Sequence, residues 1–249
     1  MILNLARGQS ITAPVKMYLA LFLNDPGETG TGTEVSYSTY ARREITFTAP
    51  AEDGSAMSMS NNAAITFGTA AVTVGNATHI GIMDSLTGGN MWLYGQLGNA
   101  IAIDVGVAPV VRANAIKFLW SGKLSKSYKT KVMNVLRATD CTGFAPYLAL
   151  CNGSPEAGGS EFSGNAYART AMTFGSPTQQ ASGAAMISNS AQVESPVATG
   201  TWGQLTHVAL YDASTGGLPY VIDTASVQPI MTIGKSVIYE IGRYNISIN

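Results

Sequence analysis

The two histidines of this chain lie in a motif that occurs twice, Thr-His-x-x-x-x-Asp-x-x-Thr-Gly-Gly. The first occurrence contains His79 and Asp84, and the second contains His207 and Asp212. In a catalytic interpretation, each histidine is a general base that its aspartate orients. That chemistry needs a nucleophile, but the sequence has no Gly-x-Ser-x-Gly elbow and no cysteine paired to a histidine by position. Residues five apart on a strand also point to opposite faces, so we favour a structural interpretation.

The structural interpretation is a strand followed by a hairpin turn. The aspartate carboxylate caps the turn backbone, and the two glycines that end the motif supply the positive φ angles of a tight hairpin. These glycines are Gly88 and Gly89 in the first occurrence and Gly216 and Gly217 in the second. The predicted role of the motif is therefore to build a turn.

Tyr-Ala-Arg is a second repeated motif, and an apolar strand follows it in both places. It contributes Tyr40 and Arg42, and later Tyr167 and Arg169. An arginine at the start of a half-buried strand needs a carboxylate or several carbonyl oxygens. We predict an internal ion pair or carbonyl clamp, with the aspartates of the first motif as partners, and we place both tyrosines in the core. Ligand binding by the arginines is the alternative.

Metal, cofactor and nucleotide chemistry receive no support from the sequence. The histidines lie on different repeats and the acids are scattered, so no cluster has the spacing of metal ligands. The segment Gly30–Thr33 lacks the Lys-Ser/Thr pair of a phosphate-binding loop. Cys141 and Cys151 are not at equivalent positions, which favours free thiols. We therefore predict no metal, no cofactor and no enzymatic activity.

Two polar loops, Asp25–Thr39 and Asn152–Asn165, leave two other functions open. We expect the loops to be exposed, and a carbohydrate-binding module would use them to stack aromatic rings on sugars. The candidate rings are Tyr37, Tyr40, Phe162 and Tyr167. A polysaccharide hydrolase would need paired carboxylates, but the candidate acids show no clear pairing. These acids are Glu28, Glu34, Asp53 and Glu161.

The composition is weakly charged. Charged residues make up 12% of the chain, against about 25% in typical soluble domains, and the formal net charge is −1. This balance excludes the basic footprint of a nucleic-acid-binding protein. The longest apolar run, Met17–Leu23, is too short to span a bilayer, and Met1–Arg7 lacks the features of a secretory signal. A surface with so little charge repulsion suits a subunit that lies against other subunits.

The chain is a tandem duplication, because eight anchors recur in order and nearly in register. Tyr18 recurs as Tyr147, and His79 recurs as His207 at almost the same offset. The other anchors include Tyr-Ala-Arg, Thr-Phe, Ser-Asn and Thr-Gly-Gly. We predict two homologous domains, residues 1–124 and 125–249.

Both copies read as short extended segments separated by turns, which predicts an all-β fold of two antiparallel β-sandwich, jelly-roll-like domains. The strands predicted in the first copy are Lys16–Leu23, Ala41–Phe47, Ala63–Phe67, His79–Met83, Met91–Leu97, Ala100–Val105 and Ala115–Trp120. Those predicted in the second copy are Ala145–Cys151, Ala168–Phe174, Ala191–Val193, His207–Tyr211, Pro219–Thr224, Val227–Thr232 and Asn245–Ile248.

One helix is predicted over 125–138, where the two copies join. Tyr128, Val132 and Val135 recur at helical spacing, and Ser125 is a suitable N-cap. The helix is basic, so it presents either a face for an acidic partner or a solvated exterior. Its basic residues are Lys126, Lys129, Lys131 and Arg137.

The order of these motifs resembles a family of single-domain proteins in tailed bacteriophages, which are usually labelled tail fibre or minor virion structural proteins. The family unit tends to begin with a short helix ending in an Asn-x-x-Leu-Arg-like pattern, and Asn134–Arg137 looks like a shortened form of it. The resemblance covers nearly the whole chain, twice. The first copy departs from it, with Met1–Pro14 in place of the helix and Asn76-Ala77 in place of Thr201-Trp202-Gly203. We expect the first copy to dock through this N-terminal segment instead.

This resemblance implies a non-enzymatic structural component of a virion, made in the host cytoplasm and bound to tail, baseplate, neck or capsid proteins. A homo-oligomer is expected, and the duplication suggests a trimer whose six similar domains match a six-fold partner. The alternative is a module of the tail that binds a carbohydrate or another host receptor. Neither nucleic acid nor membrane insertion is expected.

Overall fold

The computed structural model describes residues 2–181 and 184–248, so Met1 and Asn249, the outer ends of the two predicted domains, lie outside the described residues. In the described ranges every pair of strands is antiparallel, which confirms the all-β prediction. The strands of the first copy are β1 (Met17–Phe22), β2 (Arg43–Ile45), β3 (Ala51–Asp53), β4 (Ala56–Ser60), β5 (Ile65–Thr66), β6 (Gly75–Met83), β7 (Met91–Ile103), β8 (Val110–Val111) and β9 (Lys117–Trp120).

The second copy repeats this order after a short helical segment. Its strands are β10 (Tyr147–Asn152), β11 (Ser160–Glu161), β12 (Thr170–Ala171), β13 (Thr178–Gln179), β14 (Ala185–Ser188), β15 (Val193–Glu194), β16 (Gly203–Gln204), β17 (His207–Tyr211), β18 (Pro219–Thr224), β19 (Ile230–Met231), β20 (Ile238–Tyr239) and β21 (Asn245–Ile248). The helices are α1 (Lys126–Met133) and the 3-10 helices Ile2–Arg7, Asn134–Arg137 and Pro155–Ala157.

Each copy contains a larger and a smaller sheet whose side chains share one core. In the first copy the larger sheet has the order β2-β1-β6-β7, and the smaller has the order β3-β4-β9. Leu19 and Leu21 of β1 and Met57 and Met59 of β4 belong to one buried cluster. The second copy has the equivalent sheets β11-β10-β17-β18, with β12 also on β10, and β13-β14-β21. Burying one face of each sheet on the other stabilises both copies.

Two parts of the strand prediction are wrong. The two strands predicted after the first hairpin are one strand, β7, which pairs with β6 along its length. Eight strands of the described residues were not predicted, among them β4 and β14, which each contribute to a core. The other six are the short strands β3, β8, β11, β13, β16 and β20. The segment of β4, Ala-Met-Ser-Met-Ser, alternates apolar and polar residues in the pattern of a strand with one buried face, so its sequence carried the signal.

A buried asparagine links three backbone segments in each copy. The side chain of Asn61 donates to the carbonyl oxygens of Ala63 and Arg112, both at 2.8 Å, and accepts from the Ile116 N–H at 2.8 Å. Asn189 makes the equivalent three hydrogen bonds. These bonds satisfy polar groups that burial would otherwise leave unpaired, which explains why Ser-Asn is one of the repeated anchors.

Replacing Asn61 by alanine should lower the free energy of unfolding by about 2 kcal/mol, because it leaves buried backbone groups without partners. Urea unfolding of the variant and of wild type measures the change. The exposed Asn99→Ala is the matched control and should lie within about 0.5 kcal/mol of wild type. Equal losses in the two variants would show that the three hydrogen bonds do not stabilise the fold.

The two copies begin with equivalent arms that cross to each other. Asn4–Arg7 and Asn134–Arg137 occupy equivalent places in the repeat, and both are 3-10 helical. In each, the arginine Nη1 donates to the asparagine Oδ1, at 2.9 Å in the first arm and 2.7 Å in the second. Ile11 and Cys141, which follow these segments at the same spacing, exchange two backbone hydrogen bonds of 2.8 and 2.9 Å. An antiparallel pair of equivalent residues indicates a local two-fold relation between the copies.

Both arms also pack on the core of the other copy, although most of the second arm stays in the core of its own copy. Leu3, Leu5 and Ile11 of the first arm are buried in the core of the second copy, where the Ile2–Arg7 helix contacts β14. In the other direction, Met133 is buried in the core of the first copy and Leu136 packs against it, while α1 contacts β4. The N-terminal segment of the first copy therefore packs on the second copy within the same chain.

The basic residues of α1 contact other groups of the same chain. Neither of the two interpretations of its charge, a face for an acidic partner or a solvated exterior, included this outcome. Lys126 pairs with Glu52 at 2.6 Å, and Lys131 pairs with Asp212 at 3.0 Å. Lys129 is buried and donates to the Gly122 carbonyl at 2.9 Å. The N-cap prediction is confirmed, since the Ser125 hydroxyl accepts the Tyr128 N–H at 3.0 Å.

Candidate functional site

The arginine of each Tyr-Ala-Arg motif is held by one carboxylate and two carbonyl oxygens. Arg42, next to β2, donates to both oxygens of Glu34, from Nε at 2.9 Å and from Nη2 at 2.8 Å. Its Nη1 donates to the carbonyl oxygens of Ser85 and Gly88, at 2.9 and 2.6 Å. The guanidinium thus fastens the first polar loop to the turn after β6. We call this arrangement the arginine clamp.

The second copy has the same clamp. Arg169 donates to both oxygens of Glu161, at 2.8 and 2.7 Å, and to the carbonyls of Ala213 and Gly216, at 2.7 and 2.6 Å. The guanidinium also lies 3.5 Å from the centroid of the Tyr211 ring. The prediction of an aspartate partner is wrong in both copies, because the bidentate carboxylate is a glutamate eight residues before the arginine.

The tyrosine of the motif joins the clamp to the central strand. The Tyr40 hydroxyl donates to Glu34 at 3.1 Å and accepts the backbone N–H of Leu21 at 3.0 Å. Tyr167 makes the same two contacts in the second copy, at 2.9 and 3.0 Å. Burial is the largest cause that raises the pKa of both tyrosines, so each hydroxyl stays a donor over the physiological range. Both rings are half-buried against the cores.

The polar loops are largely exposed, as predicted, but each is anchored at one point. In each loop the clamp glutamate is followed by a buried apolar residue, Val35 in the first loop and Phe162 in the second. Val35 N donates to the Leu21 carbonyl at 2.9 Å, and Phe162 N donates to the Leu150 carbonyl at 3.0 Å. The loops are therefore anchored to the sheet next to the clamp glutamate.

The Thr-His motif forms a turn in both copies. Asp84 Oδ1 accepts the Asn90 N–H at 2.7 Å, and Asp212 Oδ1 accepts the Leu218 N–H at 2.7 Å. The glycine φ angles are 60° and 72° in the first turn and 61° and 69° in the second. Only glycine adopts such values without strain. The carbonyl of Gly88 and its equivalent also accept from the clamp arginines, so turn and clamp form one unit.

The histidines do not join this unit. His79 Nδ1 lies 2.9 Å from the hydroxyl oxygen of Thr78, and His207 Nδ1 lies 3.0 Å from that of Thr206. Among the hydrogen bonds of the described residues, none links His79 to Asp84 or His207 to its aspartate. The structure thus brings the Arg, Glu and Tyr of each copy together. Each histidine lies outside this group, on the strand that leads into the turn.

Stability should fall at low pH because of the two turn aspartates. Burial raises the pKa of Asp84, but the hydrogen bonds from Asn90 and Trp92 outweigh it and hold the pKa below the usual 3.8. The Leu218 N–H and Lys131 lower the pKa of Asp212 in the same way, against burial. A lowered folded-state pKa gives stability that is present above the unfolded-state value and is lost as the pH falls through the folded-state value.

Urea unfolding between pH 7 and pH 2 measures this effect. The double variant Asp84→Asn/Asp212→Asn should be less stable than wild type at pH 7, and the difference should shrink below pH 4. Two parallel profiles would contradict the assignment.

The aromatic side chains proposed for sugar stacking contact rings of their own domains. Tyr37 lies 5.5 Å from Tyr40, between ring centroids, and Tyr40 stacks on Phe67 at 5.7 Å. In the second copy Tyr167 lies 5.2 Å from Trp202 and 6.1 Å from Phe162. These contacts leave fewer ring faces free for stacking on a sugar.

A family model described as Podophage GP4 fiber I protein gp80 matches residues 1–118 and 123–247. The chain belongs to this family. The two matches confirm the predicted phage-fibre resemblance and the tandem duplication. A search of curated proteins finds no match to the chain.

Membership of the fiber I family supports a structural role in the virion. Within the described residues, no group of three or more His, Cys, Asp or Glu side chains is placed to hold a metal ion. No helix in the described ranges is long and apolar enough to cross a membrane. Burial raises the pKa of the Cys151 thiol to about 12, so this cysteine is protonated and unreactive at neutral pH.

Exposed apolar side chains of the fiber I chain recur at equivalent positions of its two copies. Val105 is 64% exposed, and its equivalent Ile233 is 73% exposed. Val110 and Ile238, a second equivalent pair, are 45% and 49% exposed. In the sequence, Val105 and Ile233 stand out only as anchors of the repeat. Their exposure became visible only in the structure. In the sequence, a β-branched residue next to a glycine indicates the end of a strand and does not indicate whether the side chain is exposed.

Proposed function

We propose that the chain is a structural subunit of a phage fibre and that it acts by assembling with other subunits, without catalysis. The family membership supports this role. The observation that carries the proposal is the recurrence of exposed apolar side chains at equivalent positions of both copies, while the repeated polar motifs are engaged in internal contacts. Exposed apolar positions of this kind suit contacts with further subunits.

Self-assembly is part of this proposal. The antiparallel exchange at Ile11 and Cys141 relates the two copies by a local two-fold axis. A two-fold relation is a half turn, whereas a flat pseudo-six-fold ring relates neighbouring domains by a sixth of a turn. If three chains assemble, the exchange therefore favours two layers of three domains.

The solution mass, measured by light scattering during size-exclusion chromatography, tests self-assembly. A multiple of the 26.0 kDa chain mass is expected, three times that mass for the trimer. The double variant Val105→Glu/Ile233→Glu should shift the mass toward the monomer. Val227→Glu, at another exposed position, is the control and should keep the wild-type mass. A wild-type monomer would contradict self-assembly.

A further inference from the structure

The two copies differ at one edge of their larger sheets. In the second copy the segment Lys123–Ser125 runs along the outer edge of β18, where Leu124 pairs with Val221 and Ser125 N donates to the Tyr220 carbonyl at 2.8 Å. In the first copy the equivalent edge strand is β7. No strand or bridge of the described residues pairs with its outer side. An edge with unpaired backbone groups is a template for another segment.

A groove lies beside β7, at the place that α1 fills in the second copy. It has a volume of about 680 Å³, and Pro14, Asp84 and Trp92 line it. The equivalent residues of the second copy are Phe144, Asp212 and Tyr220. There, α1 leaves a space of only about 10 Å³. The same site is therefore filled in one copy and open in the other.

The filled site shows which chemistry the open one accepts. The ring of Tyr128 packs against a pair of contacting aromatic rings, 5.8 Å from Phe144 and 5.5 Å from Tyr220 between centroids. Three residues later, Lys131 Nζ lies 3.0 Å from Asp212 Oδ2. Asp84 is the equivalent acid in the open site, and it accepts from Asn90 and Trp92. Among the described residues no cation forms an ion pair with Asp84, since the nearby Lys16 pairs with Glu44 at 2.6 Å.

We propose that this groove is the docking site for a helix of another virion protein. The helix places an aromatic side chain against Pro14 and Trp92, and a lysine or arginine three residues later on Asp84. An extended apolar residue before the helix pairs with the outer edge of β7, as Leu124 pairs with β18. This inference rests on the proposed assembly role and specifies the chemistry of the partner.

A second copy of the chain does not supply this helix. Tyr128 and Val132 of α1 are buried in the core of their own chain, and Lys131 is already paired with Asp212. A neighbouring copy would have to unfold its linker to offer the same residues. The occupant that we propose is a segment of another virion protein with the character of α1.

The test uses the full chain and a fluorescent peptide with the sequence of residues 123–137, measured by anisotropy. Saturable binding is expected. Val15→Glu and Leu86→Glu, two exposed positions that line the groove, should each weaken binding at least tenfold. Val227→Glu is the control and should bind like wild type. Alanine in the peptide at the position of Tyr128 or Lys131 should also weaken binding at least tenfold.

A photo-crosslinker at the tyrosine position of the peptide provides a second readout, and it should label residues 12–18 or 84–92. The inference is overturned if the peptide neither binds at about 1 mM nor labels the chain. It is also overturned if the peptide binds but the groove variants do not change its affinity. If the groove variants instead cause an oligomer of the chain to dissociate, the occupant is a second copy and the helix proposal is wrong. Detection of the chain in virions is independent of the peptide, so the failure of this inference and the failure of the proposed function are distinguishable.

Discussion

Replacing Arg42 or Arg169 by alanine should lower the free energy of unfolding by about 3 kcal/mol, because it breaks a largely buried ion pair and leaves its partners unsatisfied. The two arginine side chains are only 9% and 6% exposed. Each donates to both oxygens of a glutamate and to two turn carbonyls. Urea unfolding at pH 7 gives the value.

Lys16→Ala is the matched control for this prediction. It removes an ion pair with Glu44 that is also short, at 2.6 Å, but whose side chains are about half exposed. Exposed pairs contribute about 0 to 1 kcal/mol. Losses of similar size in Lys16→Ala and Arg42→Ala would show that the arginine clamp does not stabilise the turn. An unchanged melting temperature in Arg42→Ala would contradict the internal role of this arginine altogether.

The variant Leu5→Ala should destabilise the second copy by about 3 kcal/mol, although Leu5 belongs to the first. Its side chain is fully buried in the core of the second copy. Truncation leaves a cavity there, so amide hydrogen exchange should accelerate in β14 and β17 more than in β1 and β4.

Val15→Ala is the control for this experiment, since Val15 is an exposed residue just after the arm. It should leave the exchange rates of both copies at their wild-type values. Faster exchange in β1 and β4, with β14 unchanged, would mean that the first arm packs on its own copy and that the arms are not exchanged.

The sequence was sufficient for the features that depend on local residue patterns. The repeated anchors predicted the tandem copies, and short apolar segments between turns predicted the central strands β1, β6, β10 and β17. Ser125 predicted the N-cap of α1, because a serine before a helical apolar pattern has one local role. These features need only neighbours along the chain, so spacing and residue type determine them.

The arginine partner was missed for a physical reason. Glu34 lies in a segment rich in Gly, Ser and Thr, which is typical of a solvated loop, and its pairing depends on the loop folding back to the sheet. One signal was present, since a glutamate stands eight residues before the arginine in both copies. A charged pair that recurs at the same spacing in both copies indicates a contact between its two residues. This signal is stronger than the polar composition of the loop, which indicates exposure.

The exchanged arms were beyond sequence reasoning. Asn4–Arg7 and Asn134–Arg137 repeat at nearly the offset of the other anchors, so they are recognisable as equivalent. Whether such an arm packs on its own copy or on the other depends on the tertiary arrangement, because the apolar residues are the same in either case. The open groove beside β7 follows from the same arrangement and became visible only when the two copies were compared.

The most direct test of a structural role in the particle is to locate the chain in purified virions with gold-labelled antibodies and electron microscopy. We predict labels on the fibres, and mass spectrometry of the same particles should detect the chain at a constant copy number. Virions that carry no label and lack the chain by mass spectrometry would contradict that role.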